Sequence, residues 1–547
     1  MLDRSANIGY ACFESDSQIV ESIAMVFPLF FFMVAALVCM TTMTRMVDEQ
    51  RTQIGVLKAM GYTSRAIMGK FIFYSGSAAT IGSVIGFFFG STVFPKVIWM
   101  AYSLMYGFAE IELVFDWGMG ALALAAALLC SVGATWFSVR RELNLAPAQL
   151  LRPAAPKAGK RILLERIRPL WRHLSFMHKL TIRNIFRYKK RLVMMIIGIG
   201  GCTALLVTGM GIRDSISDVV NYQFDEITLY DVSVTFVDAQ DDAAQETFRR
   251  EAGEGADVLF VHESSVDVSA GDVTKSVYLV STQAESLEGF IDMHRGETPV
   301  ALPGEGEAVI SLGLSESLGA GVGDTITVRD SDMNPAQLTI SGVFENYVYN
   351  YVYARPETLK AQWGYAPEFK SAYVAVADDV DPREEAAALS SLDGVANVSA
   401  NLDMRDRVNS MMESLDYIVM LIVFSAGALA FIVLYNLTNI NITERTREIA
   451  TVKVLGFFPR ETASYVFSEN FLLCFIAALT GLPMGKALHA FVMAQVKIDM
   501  LRFDVRVSLL SYAISVALTF VFAILVNLAL RVKLEKINMA ESLKTVE

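Results

Sequence analysis

The chain has 547 residues, of which 53% are hydrophobic and 19% charged. This apolar content is too high for an ordinary soluble protein, and it is concentrated in blocks of about 20 residues or more, the length that crosses a membrane. The formal net charge is -12, yet residues 213–416 hold 38 acidic and 12 basic side chains, so the rest of the chain is net positive at +14.

Seven apolar segments are long enough to span a membrane. They cover residues 23–43, 71–95, 117–139, 192–212, 417–440, 465–492 and 509–530. Residues 140–191 hold 15 Lys and Arg against two acids, and the positive-inside rule therefore places this stretch in the cytoplasm. The parity of the spans then places the acidic block at 213–416 outside.

Residues 1–22 predict an external N-terminal remnant, and a three-helix module follows at 23–152. The first loop of this module, Glu49 to Tyr62, has apolar residues at helical spacing and a glycine suited to the left-handed end of a short helix. The loop recurs 395 positions later, at Glu444 to Phe457. Its matched pairs are Glu49 and Glu444, Ile54 and Ile449, Leu57 and Val452, Lys58 and Lys453, and Gly61 and Gly456.

A charged, partly helical loop that is used twice between spans predicts a docking element for a cytoplasmic partner. An ordinary solvated turn is the alternative. The repeat continues into the next span, where Gly82, Gly86 and Gly90 have the counterparts Gly481 and Gly485. Small residues four apart let helix backbones approach closely in lipid, so we expect these five glycines to pack helices. A substrate path lined by the glycine backbone is the alternative.

Residues 153–191 predict a basic cytoplasmic linker that begins with Pro and Ala and continues as cations interleaved with apolar residues. An amphipathic helix on the inner leaflet explains this pattern. Nucleic-acid binding is the competing interpretation, which we reject because the run leads directly into the span at 192–212.

The acidic block at 213–416 has a different composition. β-Branched, alternating segments predict strands at 231–237, 274–280, 324–328 and 372–376, and helical patterns cover 243–252 and 382–391. About 200 residues of this kind predict an α+β domain with its own core. Neither a catalytic constellation nor metal-ligand spacing stands out, so we predict no catalytic and no metal site. A second three-helix module fills 417–547.

The duplicated loops, the glycine-spaced helices and the basic run before the fourth span together resemble the FtsX-like permease family, the membrane subunits of MacB-type ABC systems. Residues 304–311 and 318–328 resemble the periplasmic core domain of that family. The resemblance implies an α-helical polytopic membrane protein with about seven spans. It comprises two repeated three-helix modules and one extra span, with an inserted extracytoplasmic α+β domain.

The resemblance also implies a function. In this family the first loop of each module contacts a cytoplasmic ABC ATPase dimer, so the two loops become docking elements. We expect Ile54, Leu57, Ile449 and Val452 to bury into that partner. The chain has no Walker A motif, so it should be no enzyme and carry no cofactor, and ATP should be bound by the partner. The expected location is the bacterial cytoplasmic membrane, with the acidic domain extracytoplasmic.

The sequence does not decide between transport and regulation as the function of the complex. Export and mechanotransmission fit the resemblance, and a non-transporting sensor or regulator of cell-envelope stress or cell-wall enzymes is the alternative. Ion-coupled transport is disfavoured because the repeats are parallel and most alike in their loops. The family usually has a span and an external domain before each module, whereas only residues 1–22 precede the first module here. A second permease chain or a missing N-terminal half is therefore a further candidate partner, besides the lipid membrane.

Overall fold

The computed structural model describes residues 8–103, 111–151, 183, 189–253, 255–377, 380–444, 446–495 and 501–536. The chain divides into two compact units. Unit 1 comprises Met1–Arg213, Asp416–Val496 and Arg506–Glu547, and unit 2 comprises Asp214–Leu415 and Lys497–Val505.

The helices are α1 (Ile8–Glu49), α2 (Arg51–Ala59), α3 (Ser64–Tyr102), α4 (Trp117–Leu143), α5 (Pro147–Leu151), α6 (Lys189–Asn221), α7 (Asp242–Glu251), α8 (Leu312–Leu318), α9 (Pro356–Trp363), α10 (Pro382–Leu389), α11 (Asn401–Glu444), α12 (Thr446–Val454), α13 (Pro459–Gln495) and α14 (Leu509–Glu535).

Seven of the described helices are long and apolar enough to cross a membrane, namely α1, α3, α4, α6, α11, α13 and α14. This confirms the predicted number of spans. Polar side chains cap the starts of three of them. Thr63 accepts from the Ala66 amide before α3, Asp116 accepts from two amides before α4, and Ser508 caps α14.

The two modules have the same element order, because α1 to α4 correspond to α11 to α14. In the first module, apolar residues from α1 to α5 form a common cluster around Phe71 and Val139. In the second module the larger cluster includes residues of α6, such as Ile199, together with α11, α13 and α14. Val34 of α1 joins this second cluster, and Asn436 Nδ2 donates to Thr42 Oγ1 at 2.8 Å.

The two ends of the first module differ from the boundaries that the sequence predicts. Helix α1 already begins at Ile8, so the division expected at residue 22 falls inside one helix. Neither Pro nor Gly lies between Tyr10 and Glu21 to interrupt it. The basic linker predicted at 153–191 lies outside the described residues, except for Arg183 and the first turn of α6.

Unit 2 is an α+β domain, as the sequence predicts. Its strands are β1 (Val232–Phe236), β2 (Asp257–Ala270), β3 (Val273–Ser281), β4 (His294–Arg295), β5 (Thr298–Pro299), β6 (Glu307–Ser311), β7 (Thr325–Arg329), β8 (Pro335–Phe344), β9 (Tyr351–Ala354), β10 (Ser371–Ala375) and β11 (Val395–Ala400).

Nine of these strands form one sheet in the order β11-β1-β10-β2-β3-β9-β6-β8-β7. An added pairing of β2 with β7 closes six of the strands into a barrel, whose interior is filled by apolar residues such as Leu279 and Ile310. The β3–β9 and β6–β8 pairs are parallel and the others antiparallel. The loop between α13 and α14 belongs to this unit, since Leu501 bridges to Val348.

Candidate functional site

The first copy of the repeated loop packs against the helices of its own module. Helix α2 turns Ile54 inwards, where it is 2% exposed in a cluster with Phe71 and Val139. Gly55 lies against α5, and a Cβ added there would lie 3.1 Å from Leu150 Cβ. A small residue at position 55 therefore permits the close approach of α2 and α5.

Lys58 fastens the same helix to α4. Its Nζ donates to the carbonyl oxygens of Leu143 at 2.6 Å and Leu145 at 2.9 Å. The last carbonyls of a helix have no partner within the helix and carry the negative end of its dipole, so an ammonium there is stabilising. The lysine that the sequence assigns to a partner protein thus makes its contact within the chain.

The second copy repeats this arrangement. Ile449 on α12 is 0% exposed, and Lys453 Nζ donates to the carbonyl oxygens of Leu534 at 2.9 Å and Glu535 at 3.2 Å, where α14 ends. Both modules therefore lock the short helix of the loop to the C-terminal end of their third long helix.

Glycine makes the turn that follows each short helix. Gly61 has φ +90° and Gly456 has φ +92°, values that L side chains rarely adopt. The Gly61 amide donates to Lys58 O at 3.1 Å, and the Gly456 amide does the same to Lys453 O at 3.1 Å. The sequence predicts a left-handed turn at both positions, and the backbone has a positive φ at both.

Exposed apolar side chains lie on either side of each turn, and we call these two surfaces the docking tips. In the first, Met60 is 62% and Tyr62 56% exposed; in the second, Leu455 is 71% and Phe457 49% exposed. Phe458 extends the second tip. Large apolar side chains clustered at a loop end are typical of protein contact sites.

The structure corrects the expected roles of several loop residues. Ile54 and Ile449 cannot bury into a partner, because they are already buried in their own modules, and Leu57 and Val452 are half-buried. Helical spacing identifies the apolar face of α2 but not what covers that face, here α4 and α5. Within α1, Glu49 Oε1 forms an ion pair with Arg45 Nε at 2.8 Å. Its counterpart Glu444 is the last residue of α11.

The glycines of the second module lie at a close helix contact. A Cβ on Gly481 would lie 2.7 Å from the Gly200 carbonyl oxygen and 2.7 Å from Thr203 Cβ, both on α6. A Cβ on Gly485 would lie 2.6 Å from Val207 Cβ. Real Cβ atoms do not approach this closely, so the packing of α13 on α6 requires both glycines.

The glycines of the first module have no such contact. A Cβ on Gly82, Gly86 or Gly90 would meet nothing within 4 Å in the part of the chain that the structure describes. The expectation that these three glycines pack helices is therefore wrong within the described chain. Their side of α3 corresponds to the side of α13 that α6 covers.

A ladder of amides joins three helices of the second module and is absent from the sequence predictions. Asn441 Nδ2 donates to Asn470 Oδ1 at 2.8 Å, and Asn470 Nδ2 reaches Asn527 Oδ1 at 3.4 Å. Thr203 and Thr519 pair at 3.1 Å. Amides inside apolar spans are the signal that could have found the ladder, since such side chains usually bond across helices.

No group of three or more His, Cys, Asp or Glu that could hold a metal ion occurs among the described residues. The features that remain for function are the two docking tips, the helices behind them and the α+β unit.

Comparison with known proteins places these features in a family. The model of the FtsX-like permease C-terminal region matches residues 25–147 and again 420–539, one match for each module and its docking tip. The model of the MacB-like periplasmic core domain matches residues 192–392. The chain belongs to the FtsX-like permease family. It is thus a multi-pass membrane protein of the ABC transporter permease type, with a MacB-like periplasmic core domain between its modules.

Two solved structures are similar to part of the chain. The extracellular domain of the noncanonic ABC-type transporter YknZ from Gram-positive bacteria matches at 15% identity over 31% of this chain and 98% of that chain, with a TM-score of 0.22. The periplasmic region of MacB from Actinobacillus actinomycetemcomitans matches at 10% identity over 35% of this chain and 97% of that chain, with a TM-score of 0.23.

Proposed function

We propose that this FtsX-like permease is the membrane subunit of an ABC complex in the bacterial cytoplasmic membrane. A separate cytoplasmic ATPase dimer binds ATP and docks on the two tips, and its motion drives export or mechanotransmission. The observation that carries the proposal is the pair of equivalent apolar tips. They lie in both regions matched by the permease family, one for each half of an ATPase dimer.

The attachment of each tip suits it to transmit force. Met60 and Tyr62 flank a turn whose preceding helix is fixed to α4 by Lys58 and to the module core by Ile54. A displacement of the tip therefore pulls on the third helix of the module as well as on the helices to which the loop is joined. The second tip is fastened to α14 in the same way by Lys453.

The polar groups described within the spans support movement of packed helices more than passage of a substrate between them. Asn441, Asn470 and Asn527 bond to one another, and Thr203 bonds to Thr519. Although Asn441 Oδ1 and Asn527 Nδ2 have no hydrogen-bond partner among the described residues, hydrogen bonds between side chains of different helices hold the helices together. This supports mechanotransmission to the α+β unit, on which a substrate or an envelope protein would act.

The docking proposal is tested with tip variants of the full chain, co-expressed with the ATPase from its own operon. Changing Met60, Tyr62, Leu455 and Phe457 together to Ser should reduce ATPase recovery by at least about tenfold, because apolar anchors dominate such contacts. The control changes Val237 and Val322 of unit 2, which are also exposed, to Ser. Undiminished ATPase recovery with the tip variant contradicts docking at the tips.

Transport is tested separately from docking. Inverted membrane vesicles containing the permease and its ATPase should move substrate in an ATP-dependent way if the output is export. If ATP hydrolysis is coupled to the tips but no transport occurs, the non-transporting regulator becomes the supported function. ATP hydrolysis by the purified chain without its partner contradicts the assignment of the ATPase to another subunit.

A further inference from the structure

A narrow groove lies between α13 and α14, near the C-terminal end of α14. It encloses about 240 Å³, and its walls include Phe467 and Phe471 of α13 and Ile524 and Leu528 of α14. Ile524 is 46% and Leu528 58% exposed, so the groove opens to the outside of the span. Pockets for whole small molecules begin at about 300 Å³, so this groove has room for one slender hydrocarbon chain.

Two polar residues of α14, Asn527 and Arg531, line the same groove, and its other lining residues are apolar. They stand four positions apart, so they lie on one side of α14 and about 6 Å apart along its axis. Arg531 is the nearer to the end of the helix at Glu535. The groove therefore has a guanidinium at its mouth and an amide one turn deeper.

The amide of Asn527 is buried and incompletely bonded. The residue is 6% exposed, and its Oδ1 accepts from Asn470 Nδ2 at 3.4 Å. Its Nδ2 has no hydrogen-bond partner among the described residues. A buried donor without an acceptor is unfavourable, and a bound water would need several polar partners where the walls are apolar. An occupant that brings an acceptor oxygen into the groove removes this cost.

Arg531 supplies positive charge at the mouth of the groove. Its Nε pairs with Glu535 Oε1 at 3.1 Å, while its Nη nitrogens form no hydrogen bond within the described part of the chain. Lys533 and Lys536 follow it, so residues 531–536 hold three cations and one acid. A guanidinium matches the geometry of phosphate oxygens, and a cluster of cations at the end of a span attracts anionic headgroups.

The first module has a different arrangement at the equivalent place. The reference point in each module is the leucine whose carbonyl oxygen accepts from the loop lysine. Arg140 and Arg531 each stand three positions before it. Trp136 and Asn527 each stand seven positions before it. The Arg140 guanidinium lies over the Trp136 ring, 4.8 Å from its centroid, so this cation already has a partner within the chain.

We infer that the groove of the second module binds one glycerophospholipid with an anionic headgroup. One acyl chain lies between Phe467 and Ile524, an ester carbonyl oxygen accepts from Asn527 Nδ2, and the phosphate accepts from Arg531. The ester of a phospholipid lies deeper in the bilayer than its phosphate, which matches the order of the two residues along α14. The leaflet is the one on the side of the docking tips, and only its assignment to the cytoplasm rests on the proposed function.

A transmembrane helix of a second copy is the competing occupant. A helix with its side chains is about 10 Å across, which is too wide for the groove. The backbone carbonyls of a spanning helix are also bonded within that helix, so they cannot accept from Asn527. A lipid has both a slender chain and free ester carbonyls, and it therefore fits the groove better.

The test is native mass spectrometry of the full chain, purified without the ATPase, stripped of lipid in detergent and titrated with phosphatidylglycerol. One lipid per chain should be retained. Arg531→Gln should weaken this binding by at least about fivefold, because a cation near the headgroup is lost. Arg140→Gln is the matched control from the first module and should change binding by less than about twofold. Diacylglycerol, which has the same chains without the phosphate, should bind at least about fivefold more weakly.

A second variant fills the groove without disturbing the amides. Leu528→Trp adds a large ring at an exposed position and should reduce lipid retention by at least about tenfold. Ile432→Trp on α11 is its control, because Ile432 is equally exposed at 58% and does not line the groove. Both proteins should keep the wild-type melting temperature in lipid-free detergent, so a loss of binding reports the groove and not the fold.

Equal lipid retention by wild type, Arg531→Gln and Leu528→Trp overturns the inference, and so does the absence of a retained lipid. Equal binding of diacylglycerol and phosphatidylglycerol overturns it as well, since the phosphate then makes no contact. A dimer that retains no lipid and dissociates in Leu528→Trp assigns the groove to a second copy. These outcomes are measured without the ATPase, so they leave the docking proposal to its own test.

Discussion

Lys58 and Lys453 stand 395 positions apart and make the same contact, since each ammonium donates to two backbone carbonyl oxygens at the end of the third long helix of its module. The acceptors are the carbonyl oxygens of Leu143 and Leu145 in the first module and of Leu534 and Glu535 in the second. Both copies of the repeat have a positive charge next to the C-terminus of a helix. The charge therefore fixes the short helix inside each module, and the apolar tips beyond it remain exposed.

Replacing Lys58 by Met should loosen α2 from α4. The methionine keeps the apolar stem but removes two charge-assisted hydrogen bonds, which at a half-buried site corresponds to about 1–2 kcal/mol of local stability. Amide hydrogen exchange of α2 in the purified full chain should accelerate about tenfold. Lys453→Met should have the same effect on α12.

Lys70 provides the matched control for Lys58. Its Nζ donates to the side chain of Gln50, just before α2, at 3.1 Å and not to backbone carbonyls at the end of α4, so Lys70→Met should leave exchange in the last turn of α2 nearly unchanged. If Lys58→Met exchanged like wild type but lost the ATPase, the lysine would act on the partner directly, as the sequence alone suggests.

The two turn glycines should resist substitution for a backbone reason. Gly61→Ala or Gly456→Ala places a Cβ in open space, so the cost arises from the positive φ, about 1–2 kcal/mol. The expected readouts are a lower melting temperature and weaker ATPase recovery. Gly69→Ala is the control, because Gly69 also has open space around it but lies within the regular helix α3. A neutral effect at Gly61 would contradict a strained turn there.

The elements around the site are predictable because their signals are local. Apolar spacing fixes α2 and α12, while Gly61 and Gly456 fix the turns that follow them. The seven spans follow from length and hydropathy, and the strands of unit 2 from alternation. Each of these signals is read within about 20 residues.

The contacts of those elements are not local, and the sequence alone does not predict them. The acceptors of Lys58 lie 85 and 87 residues away, so its capping role depends on how α4 ends beside α2. Ile54 belongs to an apolar face whether that face meets α5 or a partner. Spacing likewise predicts that Gly86 and Gly481 pack a helix, but only the arrangement of helices shows that one of them is covered.

The two glycine sets should therefore respond oppositely to alanine. Gly481→Ala forces a Cβ to within 2.7 Å of a backbone oxygen and should destabilise the second module by about 1–3 kcal/mol. Gly86→Ala meets nothing, so in the purified chain it should be neutral or slightly stabilising. Thermal unfolding of both variants in one detergent tests this. Equal destabilisation by the two substitutions would show that another helix already covers Gly86 on α3.

Glu263 in unit 2 is a carboxyl group enclosed by tyrosines. It accepts a hydrogen bond from Tyr373 Oη at 3.2 Å, and Tyr373 stacks on Tyr230 with ring centroids 4.2 Å apart. Burial raises the pKa of Glu263 above its usual value of 4.5, although the bond from Tyr373 acts in the opposite direction. Burial and the charge of Glu263 also raise the pKa of Tyr373 well above 10.0.

The raised pKa of Glu263 makes unit 2 less stable as the pH rises. Between the unfolded and folded pKa values the folded state binds more protons, so the contribution is fully present below about pH 4.5 and is lost as the pH passes the folded value. Glu263→Gln removes this charge and should be more stable than wild type at pH 8 but similar at pH 5. Unfolding of the full chain at both values measures the difference. A gap between the proteins that is constant with pH would mean that Glu263 does not titrate on unfolding.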